Sequence, residues 1–189
     1  MGDADELRQA VRRHYDQFWP GHPQDEVRWP LRPPVDYLPD LVVRRVAPLR
    51  WEDPWVYATV GASAVTGTHP LEFFLIAPAE SPVHVETLTM AANFHGDPRY
   101  HLYLGRTIDI GRPWHPGSSL DHLLVSLPYP YGPGVEHCFA RDRHVRVLWL
   151  LPITAAEARY ARERGIEALE QLLETYAVDT LALDRPSVV

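Results

Sequence analysis

A chain of 189 residues, 46% of them apolar, is long enough to bury a core as one domain without any staple. Its single cysteine, Cys138, excludes an internal disulfide and removes any call for an oxidising compartment. The formal net charge is −7 and every basic residue is arginine, a balance that repels phosphate backbones at long range and favours basic partners, so nucleic acid is not expected to bind.

An arginine-only basic set beside abundant Ala, Pro and Gly suggests the coding bias of a GC-rich bacterial genome. The opening MGDADELRQAVRRHYDQF lacks the apolar core of a signal peptide, and no stretch approaches the ~18 apolar residues that span a bilayer. Glu6 stands where N-myristoylation needs Ser or Thr. These readings predict a cytoplasmic protein with no membrane association.

In chain order, residues 3–18 read as an amphipathic helix, with Asp3 as N-cap, Glu6 at the capping-box position, and Leu7, Ala10, Val11, His14 and Phe18 on one stripe. Pro20 and Gly21 end it. From Trp19 to Asp40 the density of Pro and Trp predicts an extended, surface-hugging connection. Three strands are predicted at 41–47, 55–60 and 71–77, each β-branched or aromatic and bounded by Pro or Gly. The third, within PLEFFLIAP, alternates little, as a strand covered on both faces should.

Ser81 followed by Pro82 is a helix start, a hydroxyl cap before a proline at the first helical position. This helix should run to about Phe94 and stop at Gly96, with Val85, Leu88 and Ala92 facing inward. Strands follow at 106–110, 121–127 and 145–151. Thr154 and Glu157 form a T-x-x-E capping box opening one long final helix through Tyr176, with Gly165 on its apolar stripe for close approach to the sheet. Short turns between strands favour an α/β (α+β) fold: one domain over 1–189, with a mixed, largely antiparallel β-sheet packed by an N-terminal, a middle and a C-terminal helix.

The histidines raise metal and general-base chemistry. His95, Asp97 and His101 in HGDPRYH are suitable ligand types, but their spacing matches no closed zinc pattern; the bland reading is a polar helix-to-strand loop. His137, Cys138 and His144 lack a nominated fourth ligand. Ser63 in GASAVTG is not a nucleophile elbow, because G-x-S-x-G needs glycine where Val65 stands. His137 and Cys138 are sequence neighbours, which on a strand would point to opposite faces, so adjacency argues against a Cys/His dyad and favours a buried or idle cysteine. No glycine-rich phosphate cradle occurs. His14 reads as a satisfied core-edge histidine. The loops GRPWHPG and LPYPYGPG should expose Trp114, His115, Tyr129 and Tyr131, residue types enriched at protein interfaces.

The ordered set of motifs resembles the Suppressor of fused family. WVYATVGAS leading into LEFFLIAP is similar to that family's aromatic-x-x-T-x-G-x-S segment before an E-[LF]-x-[LF] strand; YHLYLGRTIDIGRPW, LDHLLVSLPYPYG, VLWLLPITAAEARYARERGIEALEQLL and the closing DRPSVV resemble its later blocks. The match runs from about Trp51 to the C-terminus, over 51–189, with 1–50 resembling the family only in a leading helix. The resemblance implies a mixed α/β domain with no catalytic residues and no cofactor. Animal members bind and restrain a transcription factor using a second domain; bacterial members of this length are regarded as immunity-type proteins that neutralise a toxin. The expected function is therefore non-catalytic binding of another protein, a basic toxin domain among the candidates. The rival readings are a metal-dependent hydrolase on His95, Asp97 and His101, and a general regulatory interaction module.

Overall fold

The computed structural model describes residues 2–30, 36–65 and 69–189; parts of the Pro/Trp segment and of GASAVTG therefore lie outside the described residues. The chain opens with α1 (Asp3–Phe18), which buries Leu7, Ala10, Val11 and Tyr15. Its N-cap is Gly2, not Asp3, and the carboxylate that reaches back to the Gly2 amide, at 3.4 Å, is that of Asp5. With Asp3, Asp5 and Glu6 all in the first turn, the helix end gains favourable charge–dipole contacts. His14 is satisfied as expected, its Nε2 lying 2.8 Å from the Val135 carbonyl.

Among its described residues the Pro/Trp segment holds an element that composition hid, β1 (Gln24–Val27), paired antiparallel with β2 (Val42–Val46). Next come β3 (Trp55–Val60), a 3-10 turn at Ala62–Ala64, and β4 (Leu71–Ala77). All seven residues of β4 are buried, which explains its lack of alternation: it pairs antiparallel with β3 on one side and parallel with a late strand on the other. Then α2 (Pro82–Gly96) starts on Ser81, whose hydroxyl accepts from the Val83 amide, and buries Val85, Leu88 and Ala92.

Two strands, β5 (Thr107–Asp109) and β6 (Leu120–Ser126), pair antiparallel; a short α3 (Pro133–Glu136) then leads into β7 (His137–Ala140), which the sequence reading missed. β7 pairs antiparallel with β8 (Arg143–Thr154), a 12-residue strand longer at both ends than expected. The hydrogen-bonded order is β1-β2-β3-β4-β8-β6-β5, with β7 also on β8, and β4–β8 is parallel. The result is a mixed α+β fold with one largely antiparallel sheet.

The predicted final helix is two. α4 (Ala155–Arg164) opens with the expected capping box, Glu157 amide to Thr154 Oγ1 at 3.1 Å and Thr154 amide to Glu157 Oε2 at 2.9 Å. It ends at Gly165, and α5 (Ile166–Thr175) begins there. The expectation that Gly165 lets a helix approach the sheet is corrected: its φ is +94° and ψ 157°, and an added Cβ would meet open space. Glycine is required by conformation, since that region is closed to residues with a side chain.

Contacts gather into two units, 1–102 with 127–149 and 103–126 with 150–189. In the first, α2 packs on β2, β3 and β4, while α1 packs on β7 and the 3-10 turn. In the second, α4 packs on β6 and against α5.

A candidate protein-binding surface

The motif T-x-G-x-S…E becomes a physical object in the first unit. Gly61, at φ +115°, turns the chain out of β3 so that three successive amides converge on the fully buried carboxylate of Glu72 in β4. Glu72 accepts from the amides of Gly61 (3.0 Å), Ala62 (3.1 Å) and Ser63 (3.1 Å) and from the hydroxyls of Ser63 and Thr59 (both 2.6 Å). Burial pushes the carboxyl above its ordinary range against the pull of these donors. Ser63 is itself buried and spends its hydroxyl on Glu72, so this constellation pins a turn.

The His95 and His101 rings lie 5.7 Å apart, each with one nitrogen engaged locally, while the Asp97 carboxylate is tied to Arg99. His95 is fully buried at the end of α2, its Nδ1 accepting from the Leu102 amide at 2.9 Å, and burial lowers its pKa to about 4. Its Nε2 lacks a conventional partner, but the ring meets Phe73 edge-on at 5.3 Å. Asp97 is held well below the usual carboxylate range, first by the Arg99 side chain, which it grips at 2.6–3.2 Å, and then by the Arg99 amide. His101 Nδ1 lies 2.9 Å from the His95 carbonyl. Among the described residues no three His, Cys, Asp or Glu side chains are placed to share an ion.

The four aromatic-loop residues separate. Trp114 is 2% exposed, and its amide donates to the Leu120 carbonyl at 2.6 Å, so its expected exposure is corrected: the GRPWHPG loop folds its ring inward as core. Tyr131 is half-buried, packed edge-on against Trp19 (5.6 Å) and Phe18 (5.8 Å) and tilted on Phe74 (5.7 Å). Burial raises its hydroxyl to about 12. His115 is half-exposed, and only Tyr129, 59% exposed, is displayed as expected.

Another group of exposed apolar side chains lies at the end of α2. Phe94 and Tyr100 stack at 4.8 Å and 15°, and the Arg99 guanidinium carbon sits 5.1 Å from the Tyr100 ring. Tyr37 is packed on Gly96, where an added Cβ would fall 2.7 Å from the Tyr37 Cβ, and its amide donates to Asn93 Oδ1. Met90 lies one turn before Phe94. Tyr37, Met90 and Tyr100 are all exposed. The signal was present in the sequence: Met90 and Phe94 are apolar at i, i+4 spacing yet off the buried Val85–Leu88–Ala92 stripe. In the second unit, exposed Tyr103 carries Arg106 at 5.7 Å from its ring.

The result is an α+β domain in which a buried carboxylate pins a turn and aromatic rings stand at the surface beside a clamped arginine. Residues 38–186 match the Suppressor of fused protein family, and the chain belongs to that family. The match begins thirteen residues before the point where the motifs became legible. A solved structure of a Suppressor of fused homologue from Neisseria gonorrhoeae is 38% identical, with a TM-score of 0.87 and 98% of each chain covered. The Sufu–Fu complex is similar at 14% identity and TM-score 0.67, over 97% of this chain and 92% of that one. Drosophila Suppressor of Fused matches at 14% identity and TM-score 0.69, over 97% of this chain and 51% of that one, so this chain spans about half of its length. Comparison with curated proteins finds no match.

Proposed function

We propose that this protein is a non-catalytic partner-binding domain of inhibitory or immunity type, acting in the cytoplasm on a basic protein such as a toxin domain. The observation that carries the reading is the Phe94–Tyr100 stack at the surface, with Arg99 fixed over it by Asp97. Large rings already held in place lose little freedom on binding, and arginine over an aromatic face is the chemistry of interface hot spots. That a related protein is solved in the Sufu–Fu complex supports a protein as the ligand. The net charge of −7 favours a basic partner and acts chiefly on the rate of encounter. Exposed Tyr129, in the first unit, and half-exposed His115, in the second, are each proposed separately as a partner contact.

Co-expression with the product of the adjacent gene, followed by gel filtration, tests the reading: a complex should elute, and the combined Met90→Ala and Tyr100→Ala variant should lose it while keeping its melting temperature. Repeated failure to co-elute with that product, or with any protein captured from the native cell, would sink it.

A further inference from the structure

We propose that His137 and His144 form a two-ligand site for a late first-row divalent transition metal ion, with copper(II) bound most tightly. The hairpin of β7 and β8 builds it. His137 lies opposite Arg146 and Phe139 opposite His144, so His137, Phe139, His144 and Arg146 share one face, while Cys138 lies on the other and is buried. The triad suggested by sequence thus loses its thiol and keeps its two imidazoles, both on exposed residues.

The distance between them is informative. His137 Nδ1 and His144 Nε2 are 3.1 Å apart. Two nitrogens bound to one ion at about 2.0–2.1 Å, with an angle of about 90–109° between them, stand about 2.8–3.4 Å apart. A simple hydrogen bond between the rings has the same span, and the surroundings favour the metal. The Phe139 ring stacks on His144 at 4.9 Å and 16°, fixing the plane of that ligand. Behind His137, Glu136 Oε2 faces the other ring nitrogen at 4.0 Å, while Glu136 Oε1 is tied to Arg146 Nε at 2.9 Å. If Nδ1 binds the ion, Nε2 carries the ring proton; at 4.0 Å the Glu136 carboxylate is too far to hydrogen-bond it and places only a negative charge on that side. Imidazole nitrogen suits copper, nickel and zinc, and affinity peaks at copper along the series. No third His, Cys, Asp or Glu joins the pair among the described residues, which leaves the other coordination positions to water.

The test uses the full chain without a histidine tag, stripped with chelator and titrated by calorimetry with copper(II), nickel(II) and zinc(II) separately. One ion per chain should bind with micromolar or tighter affinity, copper tightest. His137→Gln and His144→Gln should each weaken binding about tenfold or more, while Cys138→Ser leaves it unchanged. In the unmodified protein, sub-stoichiometric copper(II) should broaden the ring resonances of His137 and His144 before those of any other histidine. Absence of saturable binding, undiminished binding by the double glutamine variant, or earlier broadening at another histidine would show a hydrogen-bonded pair only and overturn the proposal.

Discussion

At the scale of single residues, similar side chains in similar loops have opposite fates, and energetics should separate them. Trp114→Ala empties a core position and should cost about 3–5 kcal/mol. Tyr131→Ala removes a ring that touches Phe18, Trp19 and Phe74 and should cost about 3 kcal/mol. Tyr129→Ala, on an exposed ring, should stay within about 0.5 kcal/mol. Denaturant midpoints at constant slope check all three, and equal losses would contradict the burial pattern. His95 supplies a pH dependence. Its pKa falls from 6.5 to about 4 on folding, first through burial and then through His101. Between those values the unfolded chain binds more protons than the folded one, so stability is full above pH 6.5 and declines as the pH drops toward 4. The slope of unfolding free energy against pH across that window should flatten in His95→Gln; an unchanged slope would assign the acid sensitivity elsewhere.

At the scale of elements, most strands and helix starts were legible because they are encoded locally. Ser81–Pro82 and Thr154-x-x-Glu157 are capping chemistries complete within four residues, and the structure makes both sets of bonds. The break at Gly165 was not legible, because the apolar spacing of 158–173 continues across it as though one helix ran through. Only the backbone at φ +94° reveals it, and Gly165→Ala should destabilise by about 1–3 kcal/mol despite the empty space around the Cβ, as thermal unfolding would register. A stabilised variant would mean the two helices can merge. β1 and β7 escaped notice because each is only four residues long and bounded by no strong turn signal on one side. Short strands of this kind are defined by the partner they pair with.

At the scale of the whole molecule, the tail closes a circuit that no local pattern announces. Arg185 reaches Glu157 at 2.6 and 3.0 Å, and the Val188 amide donates to the same carboxylate at 3.1 Å. Burial alone would raise the Glu157 pKa, but Arg185 and the Thr154 amide together hold it below its ordinary value. Its contribution to stability is therefore present above the ordinary glutamate range and lost as the pH falls through the lowered folded value. Arg185→Ala leaves the carboxylate buried and unpaired and should cost about 3–5 kcal/mol, with acid unfolding moved to higher pH. A loss below that of an exposed surface pair would contradict the burial of both partners. The net charge operates at this scale too: association with a basic partner should slow as salt rises, with little change in the rate of dissociation, in stopped-flow measurements across ionic strengths.

Sequence alone determined the family, the order of the principal elements, the fully buried central strand and the caps of α2 and α4, because each is written in residues close together in the chain. Tertiary structure alone decided which aromatic rings face solvent, that Thr59, Gly61, Ser63 and Glu72 are one hydrogen-bonded unit, that His137 and His144 meet across the β7–β8 hairpin, and that the tail returns to Glu157. The physical reason is common to all four: burial and ion pairing depend on what arrives from distant segments. A ring, a carboxylate or an imidazole carries no local mark of the neighbour that will meet it.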